Sequence, residues 1–292
     1  MLGRGLIGVV IGGFWSMSAA TAIRLVPTQQ VPRALAIFNG GNALATVVAA
    51  PLGAYLGAIV GWRGTFLCLV PVALITLIWQ WRTLPSMPGQ PRQSGVRHVF
   101  KVFSLFRRSG VALGMAASSL FFMGQFSLFT YVRPFLETVT GVQVSTLPLI
   151  LLSIGIAGLT GTLLISRALN WGFYPTLIAI SVLMALIALG LIAFGNRTAI
   201  VISLLALWGL AGTAAPVGWW AWVARTFPRD AEAGGGLFVA VVQLAIGLGS
   251  TVGGLLFDHG GHQHAFVASA ALLLFAAMLT LMASRKLAGQ TT

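Results

Sequence analysis

Residues 39–66, NGGNALATVVAAPLGAYLGAIVGWRGTF, decide the fold class of this chain. The first charge, Arg63, comes after a run longer than the roughly 20 apolar residues with which an α-helix crosses a bilayer. Gly53 and Gly57 lie four residues apart, a spacing that lets a second helix approach closely. Pro51 stands near the middle, where proline kinks or loosens a helix. The stretch therefore predicts a membrane-spanning helix with one smooth face, followed by a break near Arg63.

Composition extends this interpretation to the whole chain. Of 292 residues, 58% are hydrophobic and only 7% are charged, whereas a soluble domain is about a quarter charged. The apolar runs are longer and more continuous than the alternating strands of a membrane barrel. The sequence predicts an all-α polytopic membrane protein with nine spanning helices. The spans are predicted at residues 3–25, 34–60, 64–84, 110–136, 144–166, 172–194, 198–222, 233–257 and 265–284.

The basic residues predict the orientation of these spans. If the spans alternate in direction, thirteen of the 17 Lys and Arg residues fall at one side of the membrane, and the opposite breaks hold only Arg63 and Arg197. Lys and Arg concentrate in cytoplasmic loops. We therefore expect a multi-pass protein of a bacterial-type inner membrane, with a cytoplasmic C-terminus and an extracytoplasmic N-terminus for this chain. The net charge of +13 is then explained by basic residues that set the orientation of the spans. No nucleic-acid partner is expected.

The longest break, residues 85–109, carries only basic charges and divides the chain. We predict a three-helix half-domain at residues 1–84, a cytoplasmic linker at 85–109 and a six-helix domain at 110–292. The latter part of the linker has an apolar face beside basic residues, which favours an interfacial helix that attracts anionic lipid head groups. The protein is expected to be a monomer.

The order of letters in residues 39–66 resembles the major facilitator superfamily, in its drug/proton antiporter branch. There the fifth of twelve helices carries a Gly-Pro motif and ends in Gly-Trp-Arg-x-x-Phe, which residues 50–53 and 61–66 match. Ala50 stands where the family has the glycine before proline, and a small residue is kept. Arg4 and Gly8 match an Arg and a Gly that lie four residues apart in the fourth helix of the family.

Further stretches, GGFWSMSA, RLVP and PVGWWAWVAR, resemble the purine ribonucleoside efflux pumps of that branch. The resemblance implies a proton-coupled exporter of purine ribonucleosides such as inosine and guanosine, with the nine spans as helices four to twelve. It also implies that three helices precede this sequence; a late start, a fragment and a decayed gene all remain open. Two other functions stay open as well, a non-transporting fragment or assembly partner, and an exporter of sugars or drugs.

Polar side chains in mid-span are the first candidates for substrate binding. Gln125 and Gln243 are amides in apolar helices, where an unpaired amide is costly. An amide both donates and accepts, which suits a purine edge or a ribose hydroxyl. The alternative for each is an interhelical hydrogen bond. Asn42 is predicted to line the same cavity from the second span, or, with Asn39, to cap the start of that helix.

Four aromatic residues are predicted to contact substrate: Phe122, Phe129, Tyr131 and Trp219. The phenylalanines would stack on a base, unless they face lipid or the helix core. Tyr131 and Trp219 would line the cavity or instead anchor the chain at the membrane interface, where such rings are enriched.

Charged and small residues form a predicted gating or structural set. Arg133 and Glu137 lie four residues apart, so an ion pair is geometrically available. The resemblance implies a proton-relay or structural role for Arg4, beside Gly8, Pro51 and Gly53. A competing interpretation has Arg4 extending to the membrane surface.

Enzyme chemistry is not expected from this sequence. It has no phosphate-binding loop and no Ser-His-Asp or paired-carboxylate arrangement within its spans. We predict no catalytic residue, no cofactor and no metal site, and a small-molecule substrate with protons as the partners. No Asp or Glu lies deep within a span, although a proton-coupled carrier ordinarily needs a titratable group in its pathway.

Overall fold

The computed structural model describes residues 31–85, 109–227 and 231–288, with the single positions 10, 14, 21, 25 and 26. These ranges contain α-helices and no strand, which confirms the predicted all-α class. The helices are α1 (Val31–Thr83), α2 (Ser109–Phe129), α3 (Val132–Thr138), α4 (Leu147–Trp171), α5 (Phe173–Phe194), α6 (Thr198–Thr226) and α7 (Ala231–Ala288). The predicted span at 3–25 and the predicted interfacial helix of the linker lie outside the described residues.

The two longest helices, α1 and α7, are each broken at one glycine. Gly61 has φ 72° and ψ 168°, and Gly261 has φ 69° and ψ −171°, a backbone conformation that residues with a Cβ rarely adopt. Without its break, the 58 residues of α7 would extend about 87 Å, three times the roughly 30 Å of a bilayer core. Each helix is therefore a pair of arms, residues 31–60 and 62–83 in α1 and residues 231–260 and 262–288 in α7.

Within the described ranges, six helices are long and apolar enough to cross a membrane, fewer than the nine predicted. Counting the arms of α1 and α7 separately gives eight segments, which correspond to the second to ninth predicted spans. The fourth predicted span contains an irregularity that the sequence pattern did not indicate, because the chain turns at Thr130 and Tyr131 before α3 begins.

From α2 onward the helices form one packed bundle. α2 lies against α7, α4 against α6, and α5 against both α6 and α7. A Cβ on Gly249 would collide with the backbone of Met123, and one on Gly253 with that of Ser127. The first arm of α7 thus runs parallel to α2 in close contact. A Cβ on Gly247, by contrast, would meet no described atom within 4 Å.

The alternative that Trp219 anchors the membrane interface is wrong, because Trp219 lies in the core beside Trp222. Both are 1% exposed and belong to the core of the bundle. Trp222 fits against Gly114 of α2, where any Cβ would collide with the indole ring. The absence of a side chain at Gly114 therefore opens the space into which Trp222 packs.

The chain breaks between these helices meet in two groups. At one end, called the Arg225 end, the Arg225 guanidinium lies 4.0 Å from the centre of the Phe173 ring. At the other end, called the Arg197 end, a cavity is lined by the residue after α3, by the end of α5 with its turn to α6, and by the residues after the Gly261 break. The breaks from α2 onward are grouped as the alternating charge pattern predicts.

Two expectations about α1 are corrected. Asn39 cannot cap the helix, because α1 begins eight residues earlier at Val31. The break in α1 lies at Gly61, and Pro51 is contained in the helix without non-helical dihedral angles. The close packing predicted at Gly53 stays a prediction; a Cβ there would meet no described atom within 4 Å.

Candidate functional site

Gln125 lies near the end of α2, close to the middle of the span Gly110–Thr138, and reaches across to α6. Its Nε2 donates to the backbone carbonyl oxygen of Gly212 over 3.3 Å. The bond depends on Gly212, because a Cβ at that position would lie 2.9 Å from Nε2. The interhelical hydrogen bond considered for Gln125 is therefore present, and it uses the Nε2 donor of the amide. The Oε1 atom is buried and has no hydrogen-bond partner among the described residues.

A second polar atom without a partner lies one helical turn away on α6. Trp208 is 1% exposed, and its Nε1 has no hydrogen-bond partner in the described part of the chain. Residues four apart lie on the same helix face, so Trp208 shares the face of α6 on which Gly212 receives the Gln125 amide. Leaving a buried polar group unpaired costs about 1–3 kcal/mol. Gln125 Oε1 is thus an unpaired acceptor on α2 and Trp208 Nε1 an unpaired donor on α6. The other buried side-chain atoms without a hydrogen-bond partner in the described ranges are Ser127 Oγ, Thr140 Oγ1 and Trp222 Nε1.

Sequence reasoning missed Trp208, although a signal was present. Its span, residues 198–222, places it ten residues from one end and fourteen from the other. Tryptophan in membrane helices is enriched at the interfaces, so a mid-span indole beside Gly209 indicates a residue that packs between helices. A Cβ on Gly209 would collide with the backbone of Ile154, which shows how closely α4 and α6 approach at this level.

The structure does not bring the other predicted amides to Gln125. Gln243 is half-buried on the first arm of α7, and its side chain takes part in no hydrogen bond within the described ranges. Asn42 lies inside α1, and its side chain is outside the described set. Arg4 and Gly8 are likewise outside the described residues.

Two of the predicted aromatic residues, Phe122 and Trp219, belong to one cluster towards the Arg225 end. Phe122 is 5% exposed and meets Phe121 edge-on with ring centres 5.4 Å apart. Trp219 lies 6.2 Å from the same Phe121 ring. Phe129, in contrast, is 36% exposed and contacts Phe126 at 6.4 Å. Phe129 is therefore the most accessible of the three rings.

Tyr131 connects α2 to the first arm of α7. Its hydroxyl donates to the Ser250 carbonyl oxygen over 2.8 Å, and its ring stacks on Phe257 at 5.2 Å with an interplanar angle of 23°. The neighbouring Thr130 hydroxyl lies 3.0 Å from the Ser250 hydroxyl. Sequence reasoning named Tyr131 but missed Thr130 and Ser250, because no local pattern links residues 120 positions apart.

The predicted ion pair is present on α3. Arg133 Nε donates to Glu137 Oε1 over 2.9 Å, and the two side chains are 56% and 34% exposed. In α1, the Gly61 break places the Arg63 guanidinium 4.9 Å from the centre of the Trp62 ring. Both arrangements are local, between residues of one helix end.

Comparisons with known proteins agree with this architecture. The family model of the Major Facilitator Superfamily matches residues 1–235. The transcription regulatory protein OpdE of Pseudomonas aeruginosa is 70% identical over 285 residues, which cover 98% of this chain and 71% of that protein. The purine ribonucleoside efflux pump NepI of Salmonella typhimurium is 40% identical over 279 residues, covering 96% of this chain and 69% of the pump. The same pump of Salmonella typhi matches equally.

These similarities confirm the resemblance in residues 39–66. They indicate an integral inner-membrane chain of a transporter family. The chain belongs to the major facilitator superfamily.

Proposed function

We propose that this chain forms a secondary active transporter of the inner membrane that exports purine ribonucleosides, such as inosine and guanosine, in exchange for protons. The observation that carries the proposal is the unpaired Oε1 of Gln125, a buried acceptor in the middle of a transporter bundle. The 40% identity to a purine ribonucleoside efflux pump supports the substrate class.

The free polar atoms suit a purine edge. Hypoxanthine and guanine present an N–H donor beside carbonyl and ring-nitrogen acceptors, so Gln125 Oε1 would accept from the base and Trp208 Nε1 would donate to it. Gln243 and Asn42 are proposed to reach the ribose hydroxyls. Because the rotamer of Gln125 is set by its bond to Gly212, the acceptor is oriented before substrate arrives, which reduces the ordering cost of binding.

The aromatic residues are proposed to act in two ways. Phe129 is the exposed ring and would stack on the base, with Tyr131 closing the same end of the cavity. Phe122 and Trp219 are packed against Phe121. We assign these two rings a contact with substrate only where the helices separate, as alternating access requires.

The domain arrangement is part of the proposal. Residues 1–84 would be half of one transporter domain and residues 110–292 the second domain, joined by the basic linker 85–109 that attracts anionic lipid head groups. Arg4, Gly8, Pro51 and Gly53 would serve the first domain as its relay and structural motif, and Arg133 with Glu137 would act at the mouth. Proton coupling rests on the resemblance to the antiporter branch.

The test is uptake of radiolabelled inosine and guanosine into everted membrane vesicles from cells that make the protein. We expect accumulation that depends on an imposed pH gradient and disappears when a protonophore collapses it. Vesicles from cells with an empty vector provide the background, and a labelled sugar and a cationic dye test the other exporter classes. Uptake of neither nucleoside above background would overturn the substrate, and uptake that survives the protonophore would overturn the coupling.

A second candidate is a role in gene regulation, favoured by the 70% identity to a transcription regulatory protein. A non-transporting membrane protein of this kind would act through binding or assembly. It predicts no nucleoside uptake in the vesicles, together with transcript levels that change when the gene is deleted and are restored by a Gln125→Leu variant as fully as by the original chain.

A further inference from the structure

A cavity of about 360 Å³ lies at the Arg197 end of the bundle, away from the proposed substrate site. Its polar lining consists of Asn196, Arg197, His262 and Gln263, and its apolar lining includes Val139 and Ile192. The volume is at the lower end of the range of ligand pockets, about 300–1,000 Å³. The cavity is therefore large enough for a small organic molecule.

Arg197 differs from the other arginines that the structure describes near chain breaks of this kind. Arg133 is paired with Glu137 over 2.9 Å, and Arg63 lies against the Trp62 ring at 4.9 Å. Arg197, the residue that precedes α6, has no ion-pair or ring partner within the described ranges. Its positive charge is therefore available to a molecule bound in the cavity.

His262 differs in the same way from its two neighbours. His259 and His264 use Nδ1 in hydrogen bonds to helix carbonyl oxygens, to Leu255 over 2.7 Å and to Gly260 over 2.6 Å. The ring of His262 packs beside Phe135, with ring centres 5.3 Å apart, and its nitrogens make no hydrogen bond to the described residues. The packing holds the imidazole in place while both nitrogens remain available.

We propose that this cavity binds a phosphate ester. The Arg197 guanidinium presents several N–H donors in a planar fork that matches phosphate oxygens. His262 and the side-chain amides of Asn196 and Gln263 add neutral donors around it, and no carboxylate lines the cavity. The apolar lining by Val139 and Ile192 suits the carbon part of an ester.

The ester has two possible sources, the head group of an anionic glycerophospholipid and a soluble phosphate monoester. Either would bind apart from the transport pathway. Gly212, which receives the Gln125 amide, lies fifteen residues beyond Arg197 on α6, about 22 Å along the helix. The cavity is thus a peripheral site, separate from the proposed nucleoside site at Gln125.

The test measures binding by the full chain in two arms. In the first, radiolabelled glycerol 3-phosphate is titrated onto protein in nanodiscs of phosphatidylcholine alone. In the second, native mass spectrometry records whether phosphatidylglycerol is retained by the detergent-purified protein in preference to phosphatidylcholine. Arg197→Gln is the variant, and Arg63→Gln removes a charge near the Gly61 break without touching the cavity.

We expect Arg197→Gln to weaken binding at least tenfold, Arg197→Lys to retain part of it, and Arg63→Gln to leave it unchanged. Binding in the first arm identifies a soluble ester, and binding in the second arm alone identifies a lipid head group; both support the site. Size-exclusion profiles confirm that the variants fold. The proposal is overturned if neither ester binds, or if both arginine variants lose binding equally, because the attraction would then be that of general surface charge.

Discussion

The Pro51–Thr83 part of α1 and the α2–α3 segment are both apolar enough to cross a membrane, yet they are buried to very different degrees among the described residues. None of the most apolar 18-residue stretch of Pro51–Thr83, with a mean hydropathy of 1.9, is buried there, although α1 contacts α4. For Gly110–Thr138, with a mean hydropathy of 1.5, the buried share is 56%. Hydropathy therefore predicts which segments enter the bilayer, and it does not predict how deeply each is buried against other helices.

Glycines account for part of this difference. In the bundle, a Cβ on Gly161 would collide with the Leu210 carbonyl of α6, so the missing side chain is what lets α4 and α6 approach. In α1, a Cβ on Gly53 would meet no described atom within 4 Å. Close approach of helices through small residues is a main source of packing within a membrane, where lipid tails compete equally for apolar surface. Glycine thus permits close helix contact at Gly161, whereas no described helix approaches Gly53 in this way.

The largest effect is expected from Gly161→Val. Its branched side chain must displace backbone of α6, and forcing atoms into a packed core costs about 1–3 kcal/mol or more. We expect a large loss of folded protein, measured as the monomer peak in size-exclusion chromatography after stepwise heating. Gly247→Val is the matched control in the bundle, and Gly53→Val tests α1. Both should change stability by no more than about 0.5 kcal/mol.

If Gly53→Val destabilised the chain as strongly as Gly161→Val, the described contacts of α1 would be incomplete and the contrast between the two regions would fail. Equal tolerance of all three substitutions would instead show that α4 and α6 are separated by more than the structure indicates.

Much of the fold is predictable because the signals are local. The lengths of the apolar runs locate the segments, and the motif in residues 61–66 identifies the family from a few positions. The start of a helix is harder to predict. Pro32 lies in the first turn of α1, where the missing N–H of proline is tolerated, and it indicates a start near Val31. The amides at residues 39 and 42 favoured a later start instead.

The candidate site is less predictable because it depends on how helices are rotated against each other. The bond from Gln125 to Gly212 joins positions 87 residues apart, and no local pattern encodes it. The burial of Trp222 depends in the same way on Gly114 across the helix contact. Residue type identified Gln125 as polar in mid-span, but only the packing shows that its donor is used and its acceptor is free.

The next effect in size is on substrate recognition. We expect Gln125→Leu to weaken inosine binding at least tenfold, equivalent to about 1.4 kcal/mol, because it removes the oriented acceptor in the packed bundle. Asn42→Leu, in α1, should have a smaller effect, and Gln143→Leu in the exposed turn before α4 should have none. Scintillation proximity binding with the purified chain measures all three. A larger loss from Asn42→Leu would move the centre of recognition into α1.

Tyr131→Phe tests the contact that holds α2 to the first arm of α7. It removes the hydrogen bond to the Ser250 carbonyl oxygen and retains the ring that stacks on Phe257. One such bond contributes about 1 kcal/mol, which corresponds to a melting temperature lower by about 2–4 °C in a protein of this size. Tyr131→Leu, which also removes the ring, should cost more. No change with either variant would show that this end of the bundle opens without cost.

The smallest effect is expected at the Arg133–Glu137 pair, which lies at the surface of the otherwise packed bundle. With side chains 56% and 34% exposed, the pair should contribute no more than about 0.5 kcal/mol, as i,i+4 pairs at surfaces do. Glu137→Gln should therefore lower the melting temperature by about 1–2 °C at low salt, and by nothing measurable at high salt, where exposed charges are screened.

The exchanged pair, Arg133→Glu with Glu137→Arg, is the control for the charge interaction itself. If the pair is structural, nucleoside uptake is the same in all three proteins. Uptake that falls in Glu137→Gln while the melting temperature is unchanged would assign the pair to gating, because a group that moves during transport affects the rate without stabilising the resting bundle.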